Sequence, residues 1–165
     1  MPVSRDQAFW KLFKAKTSVV NLKSDLKEDV LAEIVANLVK SGALAEELRA
    51  PALEALRERE NLASTGVGQN VAIPHVKIPG LDQAVTSLCT HSEGVEWAAV
   101  DGEPVQVFFL VLRPEEPGDN HDPERHLEMM RWIADLSRNR DFRRFAIVAR
   151  TRKELVDLLK EMSGS

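Results

Sequence analysis

Apolar and polar positions along this chain change their period several times, and each change marks an element. Leu26, Val30, Leu31, Ile34, Val35, Leu38 and Val39 recur at helical spacing. With Ser24 as N-cap and Gly42 at the far end, they predict a helix over about Asp25–Ser41. Leu48, Leu53, Leu56 and Leu62 continue at near-helical intervals and predict a second helix over Ala45–Asn61. Pro51 interrupts that pattern, so the helix either breaks there or properly begins at Pro51. Val105–Leu112, read V-Q-V-F-F-L-V-L, is a nearly unbroken apolar run and predicts a strand buried on both faces.

The remaining elements rest on weaker periods. Ser4 caps a short first helix around Asp6–Lys14, apolar through Phe9, Trp10, Leu12 and Phe13; packing against the body of the fold is favoured over docking a partner. Thr17–Leu22 reads as extended. Ala84–His91 is rich in strand formers, Glu93-Gly94 reads as a turn, Val95–Trp97 as another extended piece, and Asp101-Gly102 as a turn. Arg113–Pro123 is a polar, acidic loop. Helices over Pro123–Arg138, Asp141–Ala149 and Lys153–Met162 close the chain, and Ser163-Gly164-Ser165 reads as a frayed end. A strand buried on both faces requires helices on both sides of its sheet. The expected fold is therefore α/β: a mixed β-sheet flanked by helices on both faces. A single domain over residues 1–165 is expected, with its core over about 15–162 and the short first helix over about 5–14.

Candidate chemistry concentrates between Arg59 and Pro79: R-E-N-L-A-S-T-G-V-G-Q-N-V-A-I-P-H-V-K-I-P. Ser64, Thr65 and Gly66 offer hydroxyls, amides and close backbone approach to an oxyanion, and Arg57 or Arg59 offers a fixed cationic fork. His75, behind a rigid proline at the end of the Val71-Ala72-Ile73 strand, is a nucleophile available as neutral imidazole near neutral pH. No Gly-Lys-Ser/Thr follows the glycines, so the loop is not a Walker A motif.

Arg59-Glu60, Ser64-Thr65-Gly66, Gly68 and Ala72-Ile73-Pro74-His75 resemble the active-site signature of phosphotransferase-system enzyme IIA domains of the fructose/mannitol type, the branch that includes the nitrogen-regulatory EIIA proteins. The resemblance implies that His75 accepts a phosphoryl group, through Nε2, from the phosphocarrier protein HPr. It selects Arg59 over Arg57 for phosphate binding and makes Ser64, Thr65 and Gly66 the loop around the phosphoryl oxygens. It also matches His126-Leu127 to the family's second histidine, so that His126 orients and stabilises the phosphoryl group. No cofactor or metal is implied. The acceptor is either a regulated target protein or an EIIB cysteine, which separates a nitrogen-type regulator from a sugar-transport arm; a degenerate binding module without turnover is the third alternative. Three positions depart from the pattern: Val76, Asn70 and Ala63 stand where glycine is common. Val76 is expected to alter the path of the chain after the histidine, and Asn70 to tolerate the left-handed region.

Length, charge and the other reactive residues narrow the picture further. The chain of 165 residues carries a formal net charge of −4, which speaks against general nucleic-acid binding. No apolar stretch suggests membrane insertion, no linker or attached carrier module is evident, and the expected location is the cytoplasm. That architecture favours the regulatory role, with Val76 and Ile78 as apolar contacts for a partner. Cys89, the lone cysteine, is expected buried and reduced. His121 is expected on the surface and His91 in a turn; the Asp119–His126 cluster matches no metal-ligand spacing.

Overall fold

The computed structural model describes residues 8–163, so Ser4 and the start of the expected first helix lie outside the described residues. The described part of that segment forms two short 3-10 turns, Phe9–Leu12 and Ala15–Thr17, in place of an α-helix. Helix α1 spans Lys27–Lys40 and α2 spans Arg49–Leu62, preceded by a 3-10 turn at Glu46–Leu48. The strands are β1 (Gly66–Gly68), β2 (Val71–Ala72), β3 (His75–Ile78), β4 (Val85–Val95) and β5 (Val105–Pro114). Helices α3 (Pro123–Arg138), α4 (Arg140–Val148) and α5 (Arg152–Ser163) complete the order.

Local chemistry sets these boundaries. Pro51 sits in the first turn of α2, where its missing N–H is one that a helix leaves unpaired anyway. Helix α1 starts later than Ser24 predicts, because the Ser24 amide is taken by the Glu33 carboxylate at 2.9 Å and leaves that residue outside the helix. Asp122 caps α3 by accepting the Glu124 N–H at 3.0 Å, with Pro123 at the first helical position.

β5 is the centre of the sheet. Antiparallel β4 flanks one edge and parallel β2 and β3 flank the other. β2 and β3 follow one another along β5 in a single register, since Val71 faces Val107 and His75 faces Val111. Ile73 and Pro74 interrupt the ladder; Pro74 has no N–H to give, while its carbonyl still accepts the Val111 N–H at 2.9 Å. His75 therefore opens a strand rather than ending one. Thr17–Leu22 runs along the outer edge of β4, its Val19 and Leu22 amides donating to the Leu88 and Thr90 carbonyls.

β5 alternates between two cores. Phe108, Leu110 and Leu112 pack with Leu31, Ile34, Leu38 and Leu56 of α1 and α2. Val107, Phe109 and Val111 pack with Phe9, Phe13, Ile133, Phe142 and Leu155 from the N-terminal turn, α3, α4 and α5. The N-terminal aromatics thus belong to the fold: Phe13 meets Phe109 edge-on at 5.9 Å and Trp132 at 5.8 Å.

Two readings of the middle of the chain are corrected. Glu93-Gly94 does not end a strand, because β4 runs through it with an irregularity that Gly94 accommodates at φ +92. His91 is accordingly not a turn residue. It is buried in β4, its Nε2–H facing Asp25 at 3.1 Å while Nδ1 accepts the Gly94 N–H at 3.0 Å.

Candidate functional site

His75 is half-buried at the start of β3 and shares the sheet face of Ile73 and Val111, the face covered by α3. Its Nδ1 lies 2.7 Å from the Ile73 carbonyl oxygen. A carbonyl only accepts, so Nδ1 carries the proton and neutral His75 keeps a lone pair on Nε2. The Ile73 carbonyl precedes a proline and so projects from the interruption in the strand, at the spot where it can hold the ring.

His126 lies in the first turn of α3 on the same side of the sheet. It is half-buried, and its Nδ1 is fully buried without a hydrogen-bond partner. Burial, followed by the charges of Arg113, His121 and His75, pushes its pKa down to about 4. The ring is therefore neutral near pH 7. His121, expected on the surface, is 7% exposed; a short bridge between Gly118 and His121 folds its loop back, and its ring meets that of His126 edge-on at 5.6 Å. The burial of His121 was invisible in sequence because it depends on that loop closure. Arg113, at the end of β5, joins the same electrostatic neighbourhood; its only signal in the sequence was a cation ending a long apolar strand.

The glycine loop follows α2, the helix packed on the other face of the sheet. Arg59 sits in the last turn of α2 and donates from Nη1 to the Ala63 carbonyl at 2.6 Å, leaving the rest of its guanidinium fork uncommitted to that bond. Arg57, as expected, is exposed. The Ser64 hydroxyl donates to the Trp97 carbonyl at 2.6 Å and accepts the Gly66 N–H at 3.0 Å. Thr65 is buried, with its hydroxyl bonded to Glu60 and its amide donating to Glu60 Oε1 at 3.1 Å. Of the loop residues singled out from the sequence, Thr65 thus turns inward, while Arg59, Ser64 and Gly66 line the turn.

The departures at Val76, Asn70 and Ala63 are absorbed without strain at valine. Val76 is extended opposite Leu112 and packs on the α1–α2 core, so no left-handed residue is needed after the histidine. Asn70 does take φ +71, as expected, and its side chain donates to the Pro104 carbonyl at 2.8 Å. Ala63 is extended at φ −169. Ile78, named with Val76 as a partner contact, is fully buried and is unavailable for docking. Cys89 is buried and free, its thiol pushed up to about 12 by burial. Among the described residues no helix is long and apolar enough to cross a membrane.

Comparison with known proteins places this geometry. The model of the family described as "Phosphoenolpyruvate-dependent sugar phosphotransferase system, EIIA 2" matches residues 11–162. A nitrogen regulatory protein of Pseudomonas aeruginosa is 36% identical over 126 residues, covering 76% of this chain and 77% of that protein. The fructose-specific EIIABC component of Bacillus subtilis is 29% identical over 150 residues; the match covers 91% of this chain but spans only 22% of that larger protein. The crystal structure of nitrogen regulatory protein IIA-Ntr from Neisseria meningitidis superposes with a TM-score of 0.79 at 28% identity, covering 91% of this chain and 97% of that one.

Proposed function

This chain belongs to the EIIA 2 family of the phosphoenolpyruvate-dependent sugar phosphotransferase system, and from that premise we propose that it is a nitrogen-type phosphocarrier whose acceptor is His75. The observation that carries this reading is the 2.7 Å contact between His75 Nδ1 and the Ile73 carbonyl, which leaves the Nε2 lone pair for phosphorus.

In the transfer, His75 Nε2 attacks the phosphorus of a phosphohistidine on an HPr-type donor. The new N–P bond forms as the donor's N–P bond breaks, and the departing imidazole takes the electron pair. The Nδ1 proton stays on His75, where the Ile73 carbonyl stabilises the positive charge developing on the ring. Through a loose, in-line transition state the remaining work is positional and electrostatic. Arg59 supplies the fork for the phosphoryl oxygens, with the Ser64 hydroxyl and the Gly66 amide beside it. His126, neutral and with an unpaired buried Nδ1, orients the group from the α3 side. Thr65 contributes by shaping the loop, since its own donors are engaged by Glu60. No step in this sequence calls on a metal or an organic cofactor.

Nitrogen-regulatory relatives and the IIA-Ntr structure support the regulatory role; we place it in the cytoplasm and assign it a target protein that distinguishes the two phosphorylation states. A dianion placed at His75 would make a surface packed against that histidine costly to bury, so such a target binds the unphosphorylated form more tightly. The likeness to a fructose-specific EIIABC component supports a second reading, transfer onward to an EIIB cysteine.

Incubation with enzyme I, HPr and phosphoenolpyruvate tests the acceptor. Intact mass should rise by one acid-labile, base-stable phosphoryl group, and His75→Ala should gain none. A His75→Ala protein that gains the same group sinks the assignment. Mixing the phospho-form with an EIIB domain separates the two roles: rapid loss to the EIIB cysteine establishes the transport reading.

A further inference from the structure

Behind the Ser64–Gly66 turn lies a closed set of contacts that the phosphoryl chemistry does not itself use. Glu60 is 8% exposed. Its Oε1 accepts from Lys27 Nζ at 2.9 Å and from the Thr65 N–H at 3.1 Å, and its Oε2 accepts from the Thr65 hydroxyl. The indole N–H of fully buried Trp97 donates to that same hydroxyl oxygen at 3.1 Å, and the Lys27 ammonium lies 5.0 Å above the Trp97 ring.

The placement of the two charges is informative. Lys27 is the first residue of α1 and Glu60 lies in the last turn of α2. A cation at a helix N-terminus and an anion at a helix C-terminus both oppose the helix dipole. A buried ion pair is, moreover, commonly replaceable by apolar side chains of similar volume without loss of stability. Neither helix stability nor core packing accounts for these residues here. What Glu60 grips, with Lys27 behind it, is Thr65, by both its amide and its hydroxyl.

Thr65 leads directly to the acceptor. Its carbonyl receives the Ile73 N–H at 3.0 Å, the next residue along, Gly66, pairs with Ala72, and the Ile73 carbonyl then holds His75 Nδ1 at 2.7 Å. A shift of Thr65 therefore moves the group that fixes the imidazole tautomer. We propose that Glu60, backed by Lys27 and Trp97, is a positioning residue for His75: by clamping Thr65 it sets the Ile73 carbonyl and so presents Nε2 as the lone-pair nitrogen. The proposal rests on His75 as the acceptor, but its decisive readout is made on the unphosphorylated protein.

That readout is the ¹⁵N spectrum of the His75 ring in the parent, Glu60→Gln, Thr65→Val and Thr65→Ser. The parent should show the Nδ1–H tautomer. Glu60→Gln and Thr65→Val should move it toward a mixture of tautomers, and Thr65→Ser, which keeps the hydroxyl, should restore the parent signature. In phosphoryl transfer from HPr, the first two should lose about tenfold in rate at saturating donor, with half-saturation unchanged, as expected of a misplaced nucleophile. Thermal midpoints identify any variant that fails to fold. Should Glu60→Gln be one, Thr65→Val, which removes a single hydroxyl, carries the test. Folded Glu60→Gln or Thr65→Val protein with the parental tautomer and rate overturns the proposal. Phosphorylation of His75→Ala would instead overturn the acceptor assignment and leave the tautomer result standing.

Discussion

Acidification should destabilise this protein through His126 in a way that one substitution isolates. The ring is half-buried, its Nδ1 is fully enclosed without a partner, and it faces Arg113, His121 and His75, with Arg125 and Asp122 close by in sequence at the start of α3. Its pKa falls from the ordinary 6.5 to about 4 on folding, chiefly because burial disfavours the charged ring. Between those values the unfolded chain binds more protons than the folded one, so stability decreases as pH falls through that window. The His126 contribution is flat above about 6.5 and again below about 4. The full shift corresponds to about 3 kcal/mol, and the partial exposure of the ring reduces the expected effect to about 1–2 kcal/mol. Urea unfolding of the parent and of His126→Asn at about pH 7 and about pH 4.5 gives the difference directly, because the carboxylates titrate alike in both proteins. The parent should lose about 1–2 kcal/mol more than the variant on acidification. Parallel losses, or a larger loss in His126→Asn, would refute the view that His126 is held neutral by its surroundings. In the phosphorylated protein the difference should shrink, since a nearby dianion favours the protonated ring.

Two further outcomes test the loop and the buried strand. A Cβ at Gly66 would stand 2.7 Å from Ala99 Cβ and 2.9 Å from Ala99 Cα. Gly66→Ala should therefore cost about 1–3 kcal/mol in urea unfolding, and a parental midpoint would show that the β1 turn yields. Cys89, buried and with its thiol pushed up to about 12, should react with an aromatic disulfide reagent only as fast as the protein opens in urea. Rapid labelling in native buffer would contradict that burial.

The parts of the fold that were legible in sequence are those in which one local signal suffices. Asp122-Pro123 followed by an apolar period delimits α3, and the run ending at Leu112 marks β5, because capping and two-sided burial are written in neighbouring residues. Glu93-Gly94 misled for the complementary reason. The pair has turn chemistry, yet Gly94 spends its conformational freedom on an irregularity inside β4, where a side chain would strike Pro104 Cβ at 2.9 Å. The two misjudged histidines are buried by contacts that no local pattern announces: His91 meets Asp25, 66 positions away, and His121 is enclosed by its own loop. At the candidate site, the residue types and their order were legible and their orientations were not. Thr65 looks like a loop hydroxyl in sequence, and only its partners, Glu60 on α2 and the Trp97 indole, reveal that it faces inward.

That difference in orientation bears on where an arriving phosphoryl group meets resistance. On the loop side, the Ser64 hydroxyl, the Gly66 amide and one Arg59 N–H are already bonded within the turn, so under the proposed role phosphoryl oxygens would exchange for existing partners there. Each such exchange trades one hydrogen bond for another and yields little net energy, apart from the gain of charge. On the α3 side, His126 Nδ1 has no bond to lose. Were a phosphoryl oxygen, which only accepts, to meet an N–H of that ring, no existing bond would be given up. Binding energy in this reading thus comes from the histidine and the uncommitted arginine N–H groups, while the loop supplies shape. Under the proposed role, the preassembled bonds of the loop would keep the backbone around His75 in one arrangement before and after transfer, as suits a carrier that both receives and releases the same group.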